Sequence, residues 1–114
     1  MIEIAYIISK DVYNGVLSRT EGQRNITEQS GMNHGSAGDC ISGFLAMMNG
    51  ERYTRTLNEQ NTRYYLENIK RDYGDVALSR AVDSCRKHSK YYSTLNNGNL
   101  NYVELLIKEF EIAK

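Results

Sequence analysis

The sequence predicts an all-α fold, a compact bundle of about five helices with short connections that end at glycine. The chain has no proline, and its nine glycines fall mostly where an apolar pattern stops, as at helix C-termini. Between the glycines, apolar residues recur every three or four positions, which is the spacing of one helix face. With 114 residues, 40% of them hydrophobic and 25% charged, residues 1–114 are expected to form a single domain with one core.

The first predicted helix spans about Ile2 to Asn14, because its apolar residues follow a helical stripe. A strand is the alternative for its start, since Ile2, Ile4 and Tyr6 also alternate as a strand would. The segment from Thr20 to Gln29 is a candidate for a short second helix, bounded by Gly31. The next helix is clearer. Ser36 and Asp39 make a capping-box pattern before Ile41, Phe44, Leu45 and Met48.

Three further helices are predicted after Asn49-Gly50. Asn58 caps the first and Gly74 ends it, Asp75 caps the second, and Asn101 opens the third. Each helix has one apolar face. The inward residues are, in chain order, Thr62, Tyr65, Leu66, Ile69 and Tyr73; Leu78, Ala81, Val82, Cys85 and Tyr92; Val103, Leu106, Ile107 and Phe110.

Composition narrows the class of protein. No run approaches 18 apolar residues and no signal peptide is recognisable, so we expect a cytoplasmic protein without a membrane partner. Cys40 and Cys85 are expected to be reduced and buried. No cofactor or metal is predicted, because His34, Cys40, Cys85 and His88 lack the usual spacing of zinc ligands. No paired base and nucleophile is recognisable, so an enzyme is not expected.

Charge is balanced overall, with 14 basic and 14 acidic residues, which argues against tight non-specific binding to a nucleic-acid duplex. The balance is uneven along the chain. Residues 52–90 hold nine bases against five acids. This basic half contains the connector, residues 50–58, which joins two predicted helices.

The connector is the predicted binding surface, because Tyr53, Thr54 and Arg55 place hydroxyls and a guanidinium close together. Arg55 either offers a planar fork to a phosphate or carboxylate, or ties helix ends together through their carbonyls. Two tyrosine pairs, Tyr64-Tyr65 and Tyr91-Tyr92, either stack nucleobases or fill the core.

His88 is by default a core histidine, with contact to a ligand as the alternative. Ser36 lies in the glycine-rich segment Gly31 to Gly38, which leads into a predicted helix. This segment is either an anion site at the helix N-terminus or a plain capped turn. The candidate ligand-binding residues are Arg55, Tyr53, Thr54, Tyr65, His88, Tyr92 and Ser36.

Several of these residues also form a pattern that is found in a known family. They are Ser36-Ala37, Phe44, Met48-Asn49-Gly50, Tyr53–Leu57, Tyr64–Ile69, Asp72-Tyr73-Gly74, Ala77-Leu78, His88 and Tyr91-Tyr92. The pattern resembles a small helical module in the N-terminal part of HNH-type restriction endonucleases, including proteins labelled specific for 5-methylcytosine. The paired histidines with an asparagine and the cysteine knuckles of an HNH centre are lacking, so nuclease activity is not implied.

The resemblance implies a sensing module of the defence or counter-defence type. The first hypothesis is therefore a non-enzymatic binding module for a phosphate-bearing nucleotide, whether a nucleotide signal, which a free-standing copy would capture as a sponge, or modified nucleic acid. The alternative is a protein-interaction module, such as a phage inhibitor of a host defence protein or a helical homodimer. Met47, Met48 and the tyrosine pairs would then supply the contacts.

Overall fold

The computed structural model describes residues 1–95 and 98–112, and in these ranges it contains six α-helices and no strand. The helices are α1 (Ile2–Tyr13), α2 (Arg19–Ser30), α3 (His34–Asn49), α4 (Glu59–Tyr73), α5 (Asp75–Ser93) and α6 (Asn101–Ile112). The all-α prediction is confirmed, and the strand alternative for the first element is wrong. The number of helices is six and not about five, because the candidate segment from Thr20 to Gln29 forms a full helix, α2.

The sequence pattern understates α2 because the helix is polar and buries only Gly22 and Ile26. Its start is fixed by a capping box. The Ser18 hydroxyl accepts from the amide of Glu21 at 3.1 Å, and the Glu21 carboxylate accepts from the amide of Ser18 at 3.0 Å. These bonds satisfy two N–H groups that an α-helix otherwise leaves unpaired at its start. Gly31 ends the helix with φ of 76°, in the left-handed region that glycine tolerates.

Two of the predicted helix caps are wrong and one is confirmed. The side chain of Asn33, and not Ser36, caps α3 by accepting from the amide of Ser36 at 3.2 Å. Asp75 is the first residue of α5 and makes no capping bond. Asn58 caps α4 as predicted, since its side chain accepts from the amide of Asn61 at 2.8 Å.

The chain divides into two compact units, Met1–Leu45 and Ala46–Lys114, and α3 runs through the division. In the first unit α1 packs on α2. The ring of Tyr6 meets that of Phe44 edge to face, with centroids 5.4 Å apart. Gly22 allows a close approach, because a Cβ atom there would lie 2.5 Å from Cγ2 of Val12.

In the second unit α4, α5 and α6 pack against one another. Their apolar faces form its core, as the sequence pattern predicts. The core residues of these helices include Tyr65, Leu66, Ile69, Leu78, Ala81, Val82, Cys85, Val103, Leu106 and Phe110. Within the described ranges, no helix combines the length and the apolar character needed to cross a membrane.

Candidate functional site

Side chains on one face of α5 hold the connector in place. They lie at spacings of three and four residues, so they project from the same side of the helix. Ser84 donates to the carbonyl of Glu51, Lys87 to that of Gly50 (2.6 Å) and His88 to that of Tyr53 (2.7 Å). Arg80 donates to the carbonyl of Met48 (3.1 Å), in the last turn of α3, directly before the connector. The connector is therefore fixed although it forms no helix or strand of its own.

His88 is fully buried, and both of its ring nitrogens are hydrogen-bonded. Nδ1 lies 2.7 Å from the carbonyl oxygen of Tyr53, which only accepts, so Nδ1 carries the proton. Nε2 then accepts from the hydroxyl of Thr56 at 2.9 Å. Burial lowers the pKa of His88, although the bond to the Tyr53 carbonyl opposes the shift. The imidazole is therefore neutral, and it holds the connector through hydrogen bonds at both ring nitrogens.

The side chain of Tyr53 makes two further contacts between the connector and α5. Its ring stacks on the imidazole of His88, with centroids 4.2 Å apart and planes 18° from parallel. Its hydroxyl donates to Sγ of Cys85 at 3.6 Å. Burial raises the pKa of the Tyr53 phenol, and it raises the pKa of the Cys85 thiol to about 11. Both groups are therefore neutral at physiological pH.

The far end of the connector is tied to α6. The hydroxyl of Tyr102 donates to the carbonyl of Leu57 at 2.5 Å, and the Leu57 side chain is buried. The hydroxyl of Thr62 donates to the carbonyl of Asn58 at 2.8 Å within the first turn of α4. The segment that carries the predicted site is therefore anchored by three helices.

A surface hollow of about 600 Å³ opens where the start of the connector meets the C-terminal half of α5. We call it the Arg52 hollow; it is lined by Arg52, Lys87, Lys90, Tyr91 and Thr94. The Arg52 guanidinium lies over the ring of Tyr91, 4.5 Å from the centroid, in a cation–π contact. No carboxylate lines this hollow, and Nζ of Lys87 lies 4.0 Å from the carboxylate of Asp83.

The cations of the Arg52 hollow are not neutralised by strong pairing. Within residues 1–95 and 98–112, Lys90 has no ion-pair partner and Arg52 has only the tyrosine ring. The site lies near the C-terminus of α5, where the helix dipole is negative. An anion bound there would depend on these side chains and not on the end of the helix.

A second hollow, of about 320 Å³, lies between α5 and α6. We call it the Glu104 hollow; its lining residues are Arg86, Ser89, Lys90, Glu104, Ile107, Lys108 and Glu111. Lys90 lines both hollows, so they are neighbours. The guanidinium of Arg86 pairs with the carboxylates of Glu111 and Asp83.

The structure brings together some of the candidate residues from the sequence and separates others. Tyr53 and His88 stack, and the ring of Tyr92 lies 6.3 Å from that of His88, centroid to centroid. Tyr65 is fully buried in the core of the same unit. Thr54 and Arg55 are exposed, and neither lines either hollow. Their role in binding stays a prediction.

The other candidate, Ser36, is exposed in the first turns of α3, in the first unit. The sequence interpretation missed Arg52, Lys87, Lys90 and Tyr91 as one group. A signal was present, because Lys87, Lys90, Tyr91 and Thr94 follow the helical spacing of three and four residues. Arg52 comes from a distant part of the chain, and no periodic pattern predicts that contact.

Within residues 1–95 and 98–112, no three histidine, cysteine or acidic side chains are grouped as metal ligands. Cys40 and Cys85 are both buried, as predicted, and they are not joined in a disulfide. In comparisons with protein-family models, curated proteins and solved structures, none matches this chain. The evidence for function therefore comes from the geometry of the site.

Proposed function

We propose that this chain is a non-enzymatic binding module for a small phosphate-bearing nucleotide, and that the phosphate occupies the Arg52 hollow. One observation carries the proposal. Arg52, Lys87 and Lys90 line a single open hollow that no carboxylate lines. Its volume is about 600 Å³, and it is widely open to solvent, which suits a phosphate held by side-chain charges.

The cations have complementary roles toward a phosphate. The Arg52 guanidinium offers two parallel N–H donors, and its contact with Tyr91 holds the fork before the ligand arrives. The Lys87 ammonium is positioned by its bond to the Gly50 carbonyl and has further N–H donors to offer. Lys90 contributes a third positive charge. Such charge-assisted bonds are among the stronger ones that proteins make.

A small nucleotide is a better match than a duplex. Binding along a nucleic-acid backbone requires many cations over an extended surface, whereas the formal net charge of this chain is zero. The cations at the Arg52 hollow are local, which suits one compact anion. We therefore propose a free nucleotide, and not modified nucleic acid, as the ligand.

The non-enzymatic part of the proposal is supported by the state of the reactive side chains nearby. The Cys85 thiol is buried and has a pKa of about 11, so it is a poor nucleophile at neutral pH. His88 uses both ring nitrogens to hold the connector. Neither group is available as a general base or a nucleophile.

Isothermal titration calorimetry with nucleoside mono-, di- and triphosphates, cyclic dinucleotides, modified oligonucleotides and inorganic pyrophosphate tests the proposal. We expect binding of free nucleotides that weakens as ionic strength rises. Lys90→Ala should cost about 1.5 to 3 kcal/mol of binding free energy, the range for a bond to a charged group. Arg24→Ala, an exposed arginine in the first unit, is the control for net charge.

Two results would overturn the proposal. If no compound of the panel binds, the protein-interaction alternative remains. If only oligonucleotides bind, the ligand is not a free nucleotide. The resemblance to HNH-type endonucleases and the defence or counter-defence role that it implies stay predictions. They are independent of the hollow.

A further inference from the structure

The Glu104 hollow continues the proposed phosphate site on the other side of Lys90. A ligand larger than its phosphate must extend from the Arg52 hollow in some direction. The Glu104 hollow offers a second concave surface that shares a cation with the first. The chemistry of this second hollow therefore bears on what the phosphate is attached to.

The Glu104 hollow is suited to a neutral polar group and not to a second phosphate. Arg86 is already paired with Glu111 and Asp83, so its charge is matched. The Glu104 carboxylate has no hydrogen-bond or ion-pair partner within residues 1–95 and 98–112. A phosphate here would meet two carboxylates, those of Glu104 and Glu111, which repel it.

The remaining lining groups match the edge of a planar heterocycle. Glu104 supplies two acceptor oxygens, while Lys108 supplies a donor and Lys90 faces the phosphate site as well. The side chain of Ile107, which is mostly buried, adds an apolar group to the lining. The hollow thus combines a carboxylate, an ammonium group and an apolar side chain in one lining.

Among the common nucleobases, guanine fits this set of groups. Its Watson–Crick edge presents two adjacent donors, the 2-amino group and then N1–H, and next to N1–H the acceptor O6. A carboxylate accepts from both donors side by side, and an ammonium donates to O6. Adenine and cytosine place an acceptor nitrogen beside their amino group, and uracil has one donor between two acceptors. Each therefore sets at least one acceptor against the carboxylate.

We infer that the ligand is a guanine nucleotide, with its phosphates in the Arg52 hollow, Lys90 between the two parts and the base edge on Glu104. This inference rests on the proposed function, because it assigns the base of the same ligand. It adds a specificity-determining residue that lies outside the phosphate site.

Calorimetric titration with GDP, ADP, CDP, UDP and inosine diphosphate is the test, with inorganic pyrophosphate as the probe of the Arg52 hollow alone. We expect GDP to bind about tenfold or more tightly than ADP, CDP or UDP, which is within the range for one bidentate base contact. Inosine diphosphate lacks the 2-amino group and should bind between GDP and the others. Glu104→Gln should remove the preference for GDP and leave the affinity for pyrophosphate unchanged or slightly higher.

Glu109→Gln is the matched control, since Glu109 lies on the same helix but pairs with Arg63 and lines neither hollow. It should keep the preference for GDP. Equal affinities for all the diphosphates would overturn the guanine inference and leave the proposed function standing. A preference for GDP that survives Glu104→Gln would overturn the role of Glu104, and failure of every phosphate compound to bind would overturn both proposals.

Discussion

His88 contacts Tyr53 twice: its imidazole stacks on the tyrosine ring at 4.2 Å, centroid to centroid, and its Nδ1 donates to the carbonyl of the same residue at 2.7 Å. A single residue of α5 thus fixes both the side chain and the backbone of one connector residue. The connector in turn positions Arg52, the residue before Tyr53, at the hollow. The fold and the proposed site therefore depend on the same neutral histidine.

The first prediction concerns pH. Burial lowers the pKa of His88 in the folded state, so the unfolded chain, with an ordinary value of about 6.5, binds a proton more readily. The stabilising contribution of the neutral ring is full above that ordinary value and is lost as pH falls toward the folded pKa. Urea unfolding of the wild type should give a lower free energy of unfolding at pH 5.5 than at pH 7.5.

His88→Asn removes the titrating group and should flatten this dependence. His34→Asn, at the exposed start of α3, removes the other histidine of the chain and serves as the comparison. An unchanged pH dependence in His88→Asn would show that another group is responsible.

The second prediction concerns the hydroxyl that bonds to His88. Thr56→Val keeps the shape of the side chain but leaves Nε2 without its donor, so the free energy of unfolding should fall by about 1 to 2 kcal/mol. Thr54→Val makes the same change two residues earlier, where the hydroxyl is exposed and has no partner in the described part of the chain. Chemical denaturation of both variants measures the difference, and equal losses would contradict the assigned bond.

The third prediction separates two arginines of the connector. Arg52→Ala should weaken the binding of nucleoside diphosphates by roughly 10- to 150-fold, the equivalent of about 1.5 to 3 kcal/mol. Arg55→Ala makes the same change at an exposed residue that does not line the hollow. Titration of both variants decides between the site indicated by the structure and the one predicted from sequence. A loss confined to Arg55→Ala would favour the latter.

The fourth prediction concerns packing in the first unit. A methyl group at Gly22 would lie 2.5 Å from Cγ2 of Val12, a stiff branched side chain, and 3.3 Å from Cδ1 of Ile41. Gly22→Ala should therefore destabilise the fold by about 1 kcal/mol or more, since overpacking outweighs the gain in helix propensity.

Gly38→Ala is the control for Gly22→Ala. The three atoms nearest to its added methyl belong to the amide end of Gln23, a flexible side chain that would give up one hydrogen bond, to the carbonyl of His34, if it moved. Gly38→Ala should therefore destabilise the fold less than Gly22→Ala in thermal denaturation. A stabilised Gly22→Ala variant would show that α1 and α2 tolerate a wider spacing.

The helices could be predicted from sequence because the capping residue Asn58, the terminal glycines and the apolar stripes are local features. The polar α2 was harder, since a helix that buries only Gly22 and Ile26 leaves little periodic signal. The cap of α3 could not be predicted from sequence alone. Asn33 and Ser36 both suit a helix start, and only the backbone geometry decides which of them accepts the bond.

The composition of the connector and of the basic half predicts a binding surface there, and this stays a prediction. The exposure of Arg55 could not be predicted from sequence, because it follows from the burial of Tyr53 and Leu57 on either side of a bend at Arg55. Arg52 depends on a contact with Tyr91 across 39 positions of sequence, which no local pattern encodes.

The way α5 binds the connector has a consequence for its dynamics. The side chains of α5 bind carbonyl oxygens, whereas the amides of residues 52–57 have no acceptor within the part of the chain that the structure describes. These amides should exchange with deuterium faster than those inside the helices, even though side chains of α5 hold the same segment. Rapid exchange here would report solvent access to nitrogen and not mobility of the chain.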